Sequence, residues 1–397
     1  MTTATAEPTL AVRRARAAVG AVFLTNGALF ANVVPRYPEV KEHLDLSNAL
    51  LGTALAAGPL GALTGGLFAS VALRLLGSAR TASFGIPLIG AGFLLVAVSP
   101  GWWALAATLF AAGAADAIVD VAQNAHGLRV QRLYGRSIVN SFHGVWSIGA
   151  VLGGLMGSAA AGLHVPLLLH LSISAVLFSA VALVAYRFLL RGTDDAEREA
   201  PTEKARPRAT AAVWMLAALG LLALFGALVE DAGASWGALF LTEDIGAAAA
   251  TAGLAFVALQ VAMTAGRLLG DRMVDRFGQR TVTRVGGAVA AAGMGFALAF
   301  PSVGSALTGF ALAGLGTATL VPAAMHTADE LPGLPAGLGL TVVSWVLRIG
   351  FLASPPLVGL VADHSSLRVG LLSVVIAGVG TLLLGRVLLN RPPAHDS

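Results

Sequence analysis

Four ionisable residues stand out within the long apolar runs of this chain: Asp116, Asp120, Glu230 and Arg348. A charge at mid-bilayer costs about 2.5–3.5 kcal/mol on insertion scales, so each marks a functional position by default. The carboxyl groups of Asp116, Asp120 and Glu230 can take up and release a proton, and the Arg348 guanidinium can hold an anion or pair with a carboxylate. Asp116, Asp120 and Asn124 recur every four residues, which sets them on one helix face. At 1.5 Å per residue Asp116 lies roughly 21 Å below the start of its run, and Arg348 roughly 16 Å into its own from the opposite side. Their depths overlap, so a pairing of Asp116 with Arg348 is expected. Two readings of it stay open, a static tie between helices and a coupling or substrate contact.

Polar groups of a second kind accompany these charges. His143 and Trp146 are one turn apart, an arrangement suited to a sugar-like ring face, although packing is the plainer role for the Trp. Asn26 and Asn32 are the polar residues of the first apolar run. Glu230 and Asp231 fall at the expected end of the seventh run, where Glu230 would face a cavity mouth or solvent and Asp231 would be wet. His126 and His326 are expected at interfaces, and His170 at the periphery.

The remaining chemistry is limited by what is missing. With no cysteine there is no thiolate ligand, disulfide or Cys nucleophile. The eight His residues lack the spacing of a metal site. No phosphate-cradling loop occurs, which excludes ATP as the energy source. No catalytic constellation appears, so an enzyme is not expected, nor is any cofactor or metal.

The elements that position these residues follow from composition. Hydrophobic residues make up 56% of the 397 positions and charged ones 12%, against about 25% charge in a soluble domain; mean hydropathy is +0.80. The solvent of such a chain is lipid. Apolar runs long enough to span are predicted at 17–35, 48–73, 82–99, 102–125, 138–161, 165–189, 212–232, 247–269, 281–300, 303–326, 337–361 and 367–389. The mixed-charge, proline-containing stretch 191–210 reads as a linker between residues 1–190 and 211–397. With the N-terminus inside, 21 of the 25 Lys and Arg fall on its side, so both termini are expected in the cytoplasm. The formal net charge of +4 is thereby accounted for without nucleic acid.

A shift of 201 residues aligns the halves. Gly77 falls on Gly278, Pro100 on Pro301, Gly113 on Gly314, and Ile148-Gly149 on Ile349-Gly350. Six spans return the chain to its starting side, so the halves are parallel repeats, as in transporters with an axis along the membrane normal. The fold class is therefore an all-α polytopic membrane protein of twelve helices in two parallel six-helix halves. Pro355-Pro356 is expected to interrupt the eleventh helix.

The loop after the eighth run, Gly270-Asp271-Arg272-Met273-Val274-Asp275-Arg276-Phe277-Gly278-Gln279-Arg280, resembles the loop signature of the major facilitator superfamily. Asp271 stands where that signature has a glycine. The resemblance implies that Asp271, Arg272, Asp275, Arg276 and Arg280 tie helix ends together as a cytoplasmic gate. Asp120-Val121-Ala122-Gln123-Asn124, with Arg129, Arg132, Gly135, Arg136 and Ser141 to Ser147, is similar to a bacterial branch near the fucose-permease group, as is Glu230 to Trp236. That branch implies proton-coupled movement of a small polar solute. Its acid in the first span is replaced here by Asn26 and Asn32, which leaves one-acid coupling, or none, open.

Together these readings describe a multi-pass inner-membrane secondary transporter working by alternating access. Its expected partners are a small-molecule substrate, protons and membrane lipid, and the chain is expected to act as a monomer. Asn26, Asn124, His143, Trp146 and Arg348 are the expected substrate contacts, and Asp116, Asp120 and Glu230 the expected proton carriers. Proton-driven export of an amphiphilic or drug-like compound, and a non-transporting ligand sensor of the same fold, are the alternatives.

Overall fold

A computed structural model of the chain describes residues 8–134, 138–192, 210–331 and 338–388. Residues 193–209 of the expected linker, and Gly135 and Arg136, lie outside the described residues. Among the described residues, twelve helices are long and apolar enough to cross a membrane. They are α1 Leu10–His43, α2 Asn48–Leu76, α3 Ser78–Ala97, α4 Trp102–Tyr134, α5 Ser141–Gly162, α6 Leu167–Tyr186, α7 Val213–Asp244, α8 Ala249–Gly270, α9 Gln279–Ala299, α10 Val303–Asp329, α11 Leu338–His364 and α12 Leu367–Val387. Helices suit lipid because each satisfies its own backbone polar groups.

The 201-residue repeat appears in backbone detail. Helices α2 and α8, α3 and α9, and α4 and α10 start at positions that differ by that offset. The turns before α3 and α9 use Gly77 and Gly278, both with φ of 80°. Each glycine amide donates 2.8 Å to the carbonyl four residues back, Leu73 or Val274. Each glycine carbonyl accepts at 3.1 Å from the residue four ahead, Thr81 or Val282. A side chain is strained at that φ, which is why the sequence keeps glycine there. Packing repeats too: a Cβ on Gly113 would strike the Gly58 backbone, and one on Gly314 the backbone of Leu259.

Internal contacts divide the chain into two compact units, Met1–Arg36 with Ala57–Ala200, and Tyr37–Ala56 with Pro201–Ser397. The second unit thus includes the end of α1 and the start of α2. Asp363 at the end of α11 accepts from the backbone amides of Asn48 and Ala49 at 2.8 and 2.9 Å. A carboxylate there satisfies amides that have no partner inside their own helix. Lys41 and Glu243 pair at 2.5 Å in the same unit.

Two helices depart from the sequence expectation. The seventh span does not stop at 232. Its α-helix, Thr210–Asp231, runs on through π-helical turns at Ala232–Trp236 and Phe240–Asp244. The cause is the apolar stretch after the two acids, whose residues from Ala232 to Leu241 are almost all buried. The eleventh helix runs unbroken from Leu338 to His364 through Pro355 and Pro356, so the prolines remove amide donors without ending the helix.

Candidate functional site

In the first unit, α1, α4 and α5 bring three of the expected site residues together. Asn26 on α1 donates its Nδ2–H to Asp116 Oδ1 on α4 at 2.7 Å. The Trp146 indole Nε1–H on α5 donates to Asn26 Oδ1, also at 2.7 Å. Asn26 is 4% exposed, while Asp116 and Trp146 are half-buried. The two hydrogen bonds fix the amide orientation, since its nitrogen must face the carboxylate and its oxygen the indole.

Small residues make this geometry possible. Gly149 and Gly153 of α5 lie against the backbone of Leu24 and Ala28 on α1, and Gly27 against the Trp146 carbonyl. Any Cβ at these positions would strike backbone, so the glycines set the interhelical approach that lets a short Asn side chain reach both neighbours. His143, one turn before Trp146, is exposed and packs edge-on against Phe23 with ring centroids 5.3 Å apart.

Asp120 is held within its own helix. Asn124 Nδ2 donates to its Oδ1 at 3.0 Å and to its backbone carbonyl at 2.9 Å, and Gln123 Nε2 donates to Oδ1 at 3.3 Å. Asp116 instead reaches across to α1. The shared helix face therefore carries two carboxylates in different settings.

In the second unit Arg348 is exposed on α11 and has no hydrogen-bond or ion-pair partner among the described residues of that unit. The buried, partner-demanding setting expected for it is not found there. Glu230 was expected at the end of its span and instead lies in the body of α7, because the π-helical turns carry the helix on to Asp244. It pairs with Arg267 of α8 at 3.6 Å. Asp231, expected to be wet, is 7% exposed. Its Oδ1 accepts from Ser235 at 2.7 Å.

The expected gate residues lie where α8 continues past Gly270 to Phe277. Arg272, Asp275 and Arg276 are exposed, and the Arg276 guanidinium lies over the Phe277 ring, 5.4 Å from its centroid. Arg280 donates to the Leu388 carbonyl at 3.2 and 3.0 Å, and the Asp271 side chain lies outside the described residues.

Sequence reasoning missed three buried polar ties. His170, expected at the periphery, is 2% exposed and bridges Asn32 at 2.8 Å and the buried Arg36 at 3.3 Å. His126, expected at an interface, is buried. It accepts at Nε2 from the Leu190 amide at 3.1 Å and meets Ser78 Oγ through Nδ1 at 2.8 Å. Arg129 donates at 2.7 Å to the Arg191 carbonyl. Their signal was present as polar residues within or just past predicted spans, but hydropathy does not say which face of a helix finds a partner.

The family model described as Major Facilitator Superfamily matches residues 220–397. A Yersinia pestis protein named as an uncharacterized MFS-type transporter is 31% identical over 369 residues, covering 91% of each chain. Membrane protein MosC of Rhizobium meliloti is 30% identical over 375 residues, covering 91% of this chain and 87% of its own. Among solved structures, a bacterial homologue of the human lysosomal transporter Spinster, inward-facing and occupied, superimposes with a TM-score of 0.70 at 18% identity, covering 96% of this chain and 98% of that one. The nucleoside transporter NupG gives 0.67 at 15% identity, covering 95% and 98%.

Proposed function

The chain belongs to the major facilitator superfamily, and from that premise we propose that this membrane transporter moves a small polar solute by proton-coupled alternating access in the bacterial inner membrane. Its two termini face the cytoplasm in this reading, and it acts as a monomer. The observation that carries the reading is the hydrogen-bonded chain from Asp116 through Asn26 to Trp146. It sets a carboxylate, an amide and an aromatic ring side by side in a helix bundle whose surroundings are apolar, a combination that recognises a ring carrying hydroxyl or amine groups.

Each element has a role. Trp146 offers its ring face and His143 a polar edge one turn away. Asn26 holds both neighbours in register, and Asp116 supplies a charge that a solute hydroxyl or a proton neutralises. Arg348 on α11 and Asn124 on α4 are further solute contacts. Asp120 and Glu230 are carboxylates available for proton transfer, Glu230 being already charge-balanced by Arg267. Asp271, Arg272, Asp275, Arg276 and Arg280 at the end of α8 form the gate on the cytoplasmic side.

A thermal-shift screen of the purified protein against small polar metabolites tests this reading. A ligand that binds only the folded state raises the melting temperature. The expected result is a hit whose shift is lost in Asn26→Leu. A shift that Asn26→Leu, Trp146→Phe and Asp116→Asn all leave intact would place binding elsewhere.

A further inference from the structure

Within the second unit, the polar group least explained by the packing around it is Asp231. It stands at the junction where the α-helical part of α7 gives way to the π-helical turn Ala232–Trp236, a geometry often found at functional sites. One carboxylate oxygen, Oδ1, accepts from Ser235 at 2.7 Å. The other, Oδ2, is buried and has no hydrogen-bond partner. Helix α11 packs on this turn and presents Ser354, 0% exposed, whose hydroxyl faces the same carboxyl but also lacks a hydrogen bond.

The Ser354 hydroxyl can donate to an ionised carboxylate or accept from a protonated one, so it serves either protonation state of Asp231. With a proton on Oδ2 the carboxyl becomes the donor and Ser354 Oγ its acceptor. The same proton removes the cost of an ionised carboxylate in an apolar interior.

Among the described residues, the charged and titratable neighbours add no ion-pair partner for Asp231. Glu230 lies beside Asp231 on α7 and is paired with Arg267 of α8. The buried Tyr37, from the end of α1 that belongs to this unit, faces Asp231. Ser354 from α11 is uncharged. Arg267 is engaged by Glu230, and among the described residues of this unit no Lys or Arg pairs with Asp231.

We infer that Asp231 is a proton-binding site of this transporter, its Oδ2 taking up one proton that is donated to Ser354 Oγ and later released to water. The step is a simple protonation: the carboxylate plus one proton gives the neutral acid, and release reverses it. The inference deepens the proton-coupled reading and rests on it, adding Asp231 to the carboxylates named there.

The test reads the carboxyl group itself, so it is separable from the transport assay. Infrared spectra of the purified protein in liposomes are recorded across pH in water and in deuterated water. A protonated-carboxyl band that titrates, shifts on deuteration and is missing in Asp231→Asn supports the inference. Ser354→Ala should keep the band but move it to higher frequency, because the acceptor of its O–H is gone; this variant assigns the band even where Asp231→Asn does not fold. Adding sodium chloride at fixed pH should leave the band in place. Its bleaching by sodium would make the site a sodium site and overturn the proton assignment. A wild-type spectrum with no titrating carboxyl band, or a band that neither variant alters, would also overturn it. If the band behaves as expected while solute movement is independent of the proton gradient, the coupling reading fails and the proton site stands.

Discussion

Asn26 and Asp116, ninety positions apart in the chain, meet through a hydrogen bond of 2.7 Å between α1 and α4. The same amide receives the Trp146 indole at 2.7 Å from α5. One short side chain therefore sets the positions of a carboxylate and an aromatic ring on two other helices.

Asn26→Leu removes both bonds. The expected loss is about 1–3 kcal/mol of stability, read as a lower melting temperature in detergent. Trp146→Phe keeps the ring and removes one donor, so its loss should be the smaller of the two. Equal losses would show that the indole N–H, and not the amide, organises the cluster.

Gly77→Ala and Gly278→Ala place a side chain at φ near 80°. A Cβ on Gly77 meets nothing within 4 Å, so its cost is conformational, on the order of 1–3 kcal/mol. The two turns share φ and hydrogen bonding, so the two variants should fall together in thermal stability. A clear difference between them would separate the turns energetically despite their common geometry.

Glu230→Gln tests whether the ion pair with Arg267 serves stability or transport. The pair is partly exposed, 38% for Arg267 and 23% for Glu230, and at 3.6 Å its contribution should stay within about 1 kcal/mol. The expected outcome is near-wild-type melting with impaired solute uptake. Unimpaired uptake would leave Glu230 a bystander and strengthen Asp231 by contrast.

Topology has its own check. Because 21 of the Lys and Arg fall on the side of the N-terminus, a reporter fused after Arg391 should be cytoplasmic and one inserted at 161–165 periplasmic. The reverse labelling would invert every statement about the cytoplasmic gate.

Span number and repeat were legible because both rest on residue type alone. Apolar length marks a span, and glycine marks a turn with positive φ, so Gly77 and Gly278 could be paired before any coordinates. The end of α7 was not legible. Glu230-Asp231 looks like a hydrophilic boundary, and only the packing of the following π-helical turns turns those acids into interior groups. The same limit applied to His126, His170 and Arg36, whose partners come from helices or helix ends remote in sequence. Of the site, Asn26, Asp116 and Trp146 could be named separately as polar residues in spans. That they touch depends on Gly149 and Gly153 bringing α5 onto α1, a distance that hydropathy does not encode.

Counterflow shows whether the bound solute crosses the membrane. Protein in liposomes loaded with an unlabelled hit from the thermal-shift screen is diluted into the labelled compound, and internal label is followed over time. The expected result is a transient overshoot of internal label that is lost in Asn26→Leu and needs no proton gradient. Binding with no exchange, in protein whose fold is intact, would contradict it and make the chain a ligand sensor built on a transporter fold.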